Sequence, residues 1–138
     1  MKIVVLKFGG TSVGTIEKIK KISRIIGEFR KKKYKVIVVS SAMSGVTNEL
    51  VKKSRLLSEN FSESEYDVLV SSGEQMACSL IAGRLINNGF KSRSWLGWQL
   101  PIYTNGSYKN SRIYQINKNK IIKYLSLIHI SEPTRRIT

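Results

Sequence analysis

Three short apolar runs, Ile3-Val4-Val5-Leu6, Val36-Ile37-Val38-Val39 and Val68-Leu69-Val70, each empty into a loop rich in glycine or serine. Runs this short and rich in β-branched residues read as strands buried on both faces. Between the first two, Ile16, Ile19, Ile22, Ile26 and Phe29 recur at helical spacing with lysines opposite. That spacing predicts an amphipathic helix over 15–31, with Thr15 as its N-cap. A strand over 35–40, a helix over 47–58 and a polar loop over 59–65 follow. The third apolar run then leads into a helix over 74–87 closed by Asn88-Gly89. Residues 90–95 read as another strand, 96–111 as an open binding loop, and 113–125 as a strand start and a helix. Alternating strands and helices imply an α/β domain whose parallel sheet is covered on both faces. Ligands of such sheets sit beyond the carboxyl ends of the strands, where all three glycine- or serine-bearing loops fall.

The first loop, Lys7-Phe8-Gly9-Gly10-Thr11-Ser12, has the chemistry of an anion cradle. Glycines let backbone N–H groups approach phosphate oxygens, the following helix contributes its positive end, and lysine adds a point charge. It matches neither Gly-x-x-x-x-Gly-Lys-Ser/Thr nor Gly-x-Gly-x-x-Gly. By itself it also suits a plain turn beside a surface lysine. The second loop is Ser40-Ser41-Ala42-Met43-Ser44-Gly45-Val46-Thr47-Asn48-Glu49, and the third is Ser72-Gly73-Glu74-Gln75. Thr47 can serve as a helix N-cap or as a ligand contact. Glu74 can be a first-turn acid favoured by the helix dipole or a carboxylate for an ammonium group.

These three blocks, in this order and spacing, resemble the aspartokinase family of the amino-acid kinase superfamily. Gly97-Trp98-Gln99 and Ser111-Arg112-Ile113 extend the resemblance, which covers residues 1–124. It implies a three-layer αβα sandwich with a mainly parallel sheet, the amino-acid kinase fold, here truncated. It also implies transfer of phosphate from ATP to the β-carboxylate of L-aspartate, the first step toward lysine, threonine and methionine. On this resemblance Lys7, the catalytic residue, neutralises the transferring phosphoryl group. Phe8, Gly9, Gly10, Ser12 and Ser41 complete the ATP site, while Thr47, Glu74, Arg112 and Ile113 bind the amino acid. The carboxylate acceptor is already ionised at neutral pH, so no general base is required. Mg2+ would be held by phosphates and water, without a protein metal site. The family's later substrate loop, Gly-Gly-Ser-Asp segment, adenine-binding half and ACT domains have no counterpart in this sequence. The chain alone is therefore expected to lack kinase activity and to fold poorly, and the complete protein to be a homo-oligomer. Acetylglutamate, glutamate, carbamate or uridylate kinases share the fold and remain alternatives for the substrate.

The segment from Leu125 to Arg135 resembles an in-frame translation of a transposase-end sequencing adapter. Residues 125–138 are accordingly expected to be a non-native tail after an amino-acid kinase segment over 1–124. The single histidine, His129, lies there. The formal net charge of +15 raises the alternative of a basic nucleic-acid-binding module. The lysines are dispersed, however, with Lys31-Lys32-Lys33 and Lys35 the one dense run, and no aromatic residues interleave with it as a single-strand platform requires. The expectation is a solvated surface with small-molecule partners, no nucleic acid and no membrane. Cys78 is the single cysteine, which excludes an internal disulfide and suits a reducing, cytoplasmic setting. Its apolar neighbours predict a buried structural thiol, and Trp95 and Trp98 read as packing residues.

Overall fold

A computed structural model describes residues 2–100, 102–106, 108 and 111–126. Strands β1 (Ile3–Phe8) and β2 (Lys35–Ser40) pair in parallel, in register from Ile3 with Lys35 to Phe8 with Ser40. The connection between them is α1 (Ile16–Lys31), so the unit is a strand–helix–strand crossover. Thr15 caps α1, its hydroxyl accepting from the Lys18 N–H at 3.2 Å, and Glu17 lies in the first turn.

Helix α2 (Val46–Leu57) follows β2, and the 25-residue α3 (Glu63–Asn87) packs against α1, α2 and β2. Val13, Ile19, Ile22, Ile26, Ile81 and Leu85 form the buried core, with Leu6, Phe8, Val36 and Val38 of the sheet packed on it. Each such side chain contributes about 1.5–3 kcal/mol when fully removed from water. The other sheet face is bare among the described residues: Val5 is 59% and Val39 48% exposed. A second sheet is an antiparallel pair of β3 (Ile102–Thr104) and β4 (Ile113–Ile116), followed by α4 (Lys118–Ser126).

Helix α1, strand β2, helix α2 and the strand-then-helix order after residue 112 follow the sequence expectations closely. Two expected strands are absent. Residues 68–70 lie inside α3, which starts eleven residues before the expected helix (74 − 63 = 11). Ser62 caps this helix by accepting from the Glu65 N–H, and Glu63 and Glu65 sit in its first turn. With that start in place, Gly73, Ala77, Ile81 and Leu85 recur every fourth residue and are all buried. Val68 is left 65% exposed. The β preference of a three-residue run is worth only tenths of a kcal/mol per residue, too little against a capped, packed helix.

Residues 90–95 form no strand either. Gly89, at φ +91°, closes α3: its N–H donates to the Ile86 carbonyl at 3.0 Å and that of Phe90 to the Leu85 carbonyl at 3.0 Å. Phe90 then lies against Gly27 of α1, and Arg30 Nη1 donates to the Lys91 carbonyl at 2.9 Å. The segment leaving α3 is held by α1 instead of joining the sheet. Trp95 packs against Arg93 (3.9 Å) and, tilted by 45°, against Tyr124 of α4 (centroids 4.4 Å), a packing role as expected, whereas Trp98 is 62% exposed.

Candidate active site

Because Phe8 is level with Ser40, β1 and β2 end together and their loops leave the sheet side by side. The loop after β1 is a tight turn. The Ser12 and Val13 N–H groups donate to the Gly9 carbonyl at 3.0 and 3.2 Å, and fully buried Val13 anchors the turn in the core. The loop after β2 is tied to β1 by the Ser41 N–H, which donates to the Phe8 carbonyl at 3.1 Å. At Gly10 a Cβ would stand 3.3 Å from the Ala42 carbonyl oxygen, so only glycine fits that approach without a shift. At Gly9 the same position is open space. Among the described residues, no hydrogen bond uses the amide N–H of Gly9, Gly10 or Thr11. Three successive donors therefore stand free at the strand end, an arrangement suited to an anion.

Alternation along β1 sends Lys7 and Phe8 to opposite faces. Lys7 is exposed on the bare face, whereas the Phe8 ring packs on the core and offers a ligand only its backbone. Ser12 is exposed and Ser41 half-buried. Thr47 does not cap α2, because the N-cap is Gly45 in the left-handed region (φ +83°). Thr47 is exposed in the first turn and free for another role. Glu74 is not a first-turn acid, since α3 begins eleven residues earlier. It is exposed, and it follows Gly73, whose missing side chain lets Val46 and Leu50 of α2 and Ala42 of the second loop close on α3. This packing draws the segments bearing Thr47 and Glu74 together. Burial, and secondarily the Glu74 charge, push the Cys78 thiol above its ordinary range. Cys78 is half-buried, less enclosed than the buried structural thiol expected.

Arg112 and Ile113 stand apart, on the second sheet. Arg112 pairs through its backbone with Asn105, accepting from the Asn105 N–H at 3.1 Å and donating to Asn105 Oδ1 at 3.3 Å; both Arg112 and Ile113 are exposed. An open cleft of about 540 Å³ separates this hairpin from the first half of α3, lined by Asp67, Ser71, Asn105, Tyr108 and Ser111. Lys7, Gly9 and Glu74 are not part of it.

Sequence reasoning passed over two residues that touch the first loop. Lys18 Nζ donates to the Thr11 carbonyl at 2.9 Å, and Ser44 Oγ donates to the Gly10 carbonyl at 3.2 Å. Only the i+3 spacing of Lys18 from the helix cap at Thr15 hinted that it faces the loop. Among the described residues no three His, Cys, Asp or Glu side chains form a cluster that could hold a metal ion.

Such a strand–loop–helix unit, with free amides after β1, is the kind of geometry at which α/β proteins hold anions. Residues 2–130 match the amino acid kinase family, past the boundary expected after Tyr124. The aspartokinase of Rickettsia conorii is 45% identical over 130 residues, covering 92% of this chain and 32% of that protein. That of Geobacillus stearothermophilus is 42% identical over 125 residues, 91% of this chain and 31% of the relative. Among solved structures, the aspartate kinase from Synechocystis superposes with a TM-score of 0.60 at 37% identity, covering 62% of this chain and 15% of that one. Escherichia coli aspartokinase III, solved with aspartate and ADP, superposes with a TM-score of 0.68 over 91% of this chain and 39% of that one. Its 17% identity speaks for the fold alone. The chain belongs to the amino acid kinase family. It has the α/β amino-acid kinase fold and spans about a third of the length of the curated aspartokinases it matches.

Proposed function

We propose that the protein carrying this chain is an aspartate kinase, transferring the γ-phosphoryl group of Mg-ATP to the β-carboxylate of L-aspartate. The products are 4-phospho-L-aspartate and ADP. The observation that carries this reading is the run of free amides at Gly9, Gly10 and Thr11, beside Lys7 at the strand end, in a segment 45% identical to an aspartokinase. Phosphoryl transfer asks a protein chiefly for alignment and charge neutralisation. The amides hold phosphate oxygens, the Lys7 ammonium neutralises the group in flight, and Ser12 and Ser41 offer hydroxyls at the rim.

On the acceptor side, Glu74 binds the ammonium of the amino acid and Thr47 hydrogen-bonds it from α2. Arg112 and Ile113 contact the amino acid from the second sheet in the same proposal. Mg2+ comes bound to the nucleotide and screens phosphate charge. No residue of this chain need take a proton, because the attacking carboxylate is ionised at neutral pH. A cytoplasmic homo-oligomer acting on small molecules is part of the same proposal, in keeping with the single cysteine. Among the described residues, no helix is long and apolar enough to cross a membrane.

The test is a hydroxamate assay for acyl phosphate on the protein expressed from the full reading frame that contains residues 2–130. Aspartate should be the acceptor; acyl phosphate formed from N-acetylglutamate or glutamate instead would sink the assignment. Reads spanning codon 124 test the related proposal that residues 125–138 are adapter-derived. Residues 127–138 of that tail lie outside the described residues.

A further inference from the structure

The carbonyls of the first loop are held by two side chains from two different elements. Ser44, from the loop after β2, donates to the Gly10 carbonyl at 3.2 Å. Lys18, from the first turn of α1, reaches back seven residues and donates to the Thr11 carbonyl at 2.9 Å. A trans peptide points its C=O and N–H in opposite directions, so holding a carbonyl also aims the next residue's amide. The Ser44 bond therefore aims the Thr11 N–H, one of the free donors. The Lys18 bond fixes the plane carrying the Ser12 N–H, which closes the turn on the Gly9 carbonyl at 3.0 Å.

Gly14 completes the arrangement. A Cβ there would come within 2.7 Å of Ser44 Oγ and 3.3 Å of the Gly10 carbonyl oxygen, so any side chain at 14 would push the Ser44 brace away.

We propose that Lys18 and Ser44 are positioning residues that brace the Gly9–Gly14 loop and preorganise its free amides for phosphate. Neither needs to touch the ligand. The Lys18 bond is charge-assisted, the stronger kind, though its exposure to water weakens it. A loop already in shape forfeits less entropy when an anion binds, which is the gain that bracing provides. The proposal rests on the phosphate-binding reading above.

The test uses the protein expressed from the full reading frame that contains residues 2–130, with tripolyphosphate as probe and NMR as readout. Lys18→Met removes the donor and keeps the stem; Lys18→Arg restores a charged donor; Ser44→Ala removes the other brace. Lys21→Met, at an exposed lysine elsewhere on α1, controls for net charge. Lys18→Met should accelerate exchange of the Ser12 amide and weaken tripolyphosphate roughly fivefold. Lys18→Arg should recover most of both effects, and Lys21→Met should change neither. Ser44→Ala should shift the Thr11 amide resonance and weaken the probe by a similar factor. If the wild-type protein binds tripolyphosphate but Ser12 exchange is unaltered in Lys18→Met, or Lys21→Met weakens binding equally, the bracing proposal is overturned alone. If the wild-type protein from the full reading frame does not bind tripolyphosphate, the phosphate-site reading falls and this proposal falls with it.

Discussion

Gly73 of α3 lies directly beneath Val46 of α2: a Cβ at 73 would stand 2.9 Å from Val46 Cγ1 and 3.2 Å from Leu50 Cδ1. The two helices can approach this closely because one carries no side chain at the contact. Gly73→Ala should gain up to about 1 kcal/mol in helix propensity and lose about 1–3 kcal/mol to overpacking. The net expectation is a chain less stable by about 1 kcal/mol in urea unfolding. Adding Val46→Ala should recover part of the loss, and an equally stable single variant would refute the tight contact.

Gly9 and Gly10 are neighbours with opposite constraints. A Cβ at 9 meets nothing, whereas one at 10 meets the Ala42 carbonyl oxygen at 3.3 Å. Gly9→Ala should leave the unfolding midpoint within error and weaken ADP binding severalfold, because the methyl occupies the anion's approach. Gly10→Ala should lower stability as well. Calorimetric titration of ADP into the protein expressed from the full reading frame, beside a thermal melt, separates the two, and equal loss of stability in both variants would contradict the open space at Gly9.

Cys78 has its thiol pushed up by burial and, to a smaller extent, by Glu74. Its alkylation by iodoacetamide should therefore need higher pH in the folded chain than in urea. Glu74→Gln should move that profile down slightly, removing the smaller cause. A thiol whose folded value exceeds its unfolded one leaves stability unchanged below the unfolded value. Stability then declines as pH rises toward the folded value, because the unfolded state ionises first. Stability that increases across that alkaline window would show the shift has the opposite sign.

Gly89 takes φ +91° to end α3, a conformation costly for residues bearing a Cβ. Gly89→Ala should destabilise by about 1 kcal/mol, although no atom lies within 4 Å of the new methyl. A Gly89→Asn variant should lose less, since asparagine tolerates the left-handed region better. The comparison is a pair of denaturation midpoints, and an unaffected Gly89→Ala midpoint would remove the strain argument.

Local chemistry made β1, α1, β2 and the Asn88-Gly89 stop legible in advance. Their signals are short-range: a β-branched run, a 3.6-residue stripe with a threonine cap, and a glycine after the last turn. The free amides of the first loop were equally legible, since glycines after a strand and before a helix leave backbone donors free wherever the unit is placed. The fate of residues 68–70 was not. The apolar residues of α3 are spread around its axis, so periodicity gave no warning, and the choice between strand and helix rested on Ser62 capping and on Gly73 meeting α2. The course of residues 90–95 was hidden for a similar reason, being set by Phe90 against Gly27, 63 residues earlier (90 − 27 = 63).

The same division runs through the site. Lys7, Gly9 and Gly10 announce themselves by residue type, because free amides and a fixed charge are properties of the local chain. The N-cap reading of Thr47 and the first-turn reading of Glu74 gave way once the helix boundaries were known. Lys18 and Ser44 gain their importance solely from a neighbouring loop carbonyl that comes within 3.2 Å. Hydrogen bonds between side chains and distant backbone depend on how elements pack, and packing is a property of the folded chain, which no short window of residues contains.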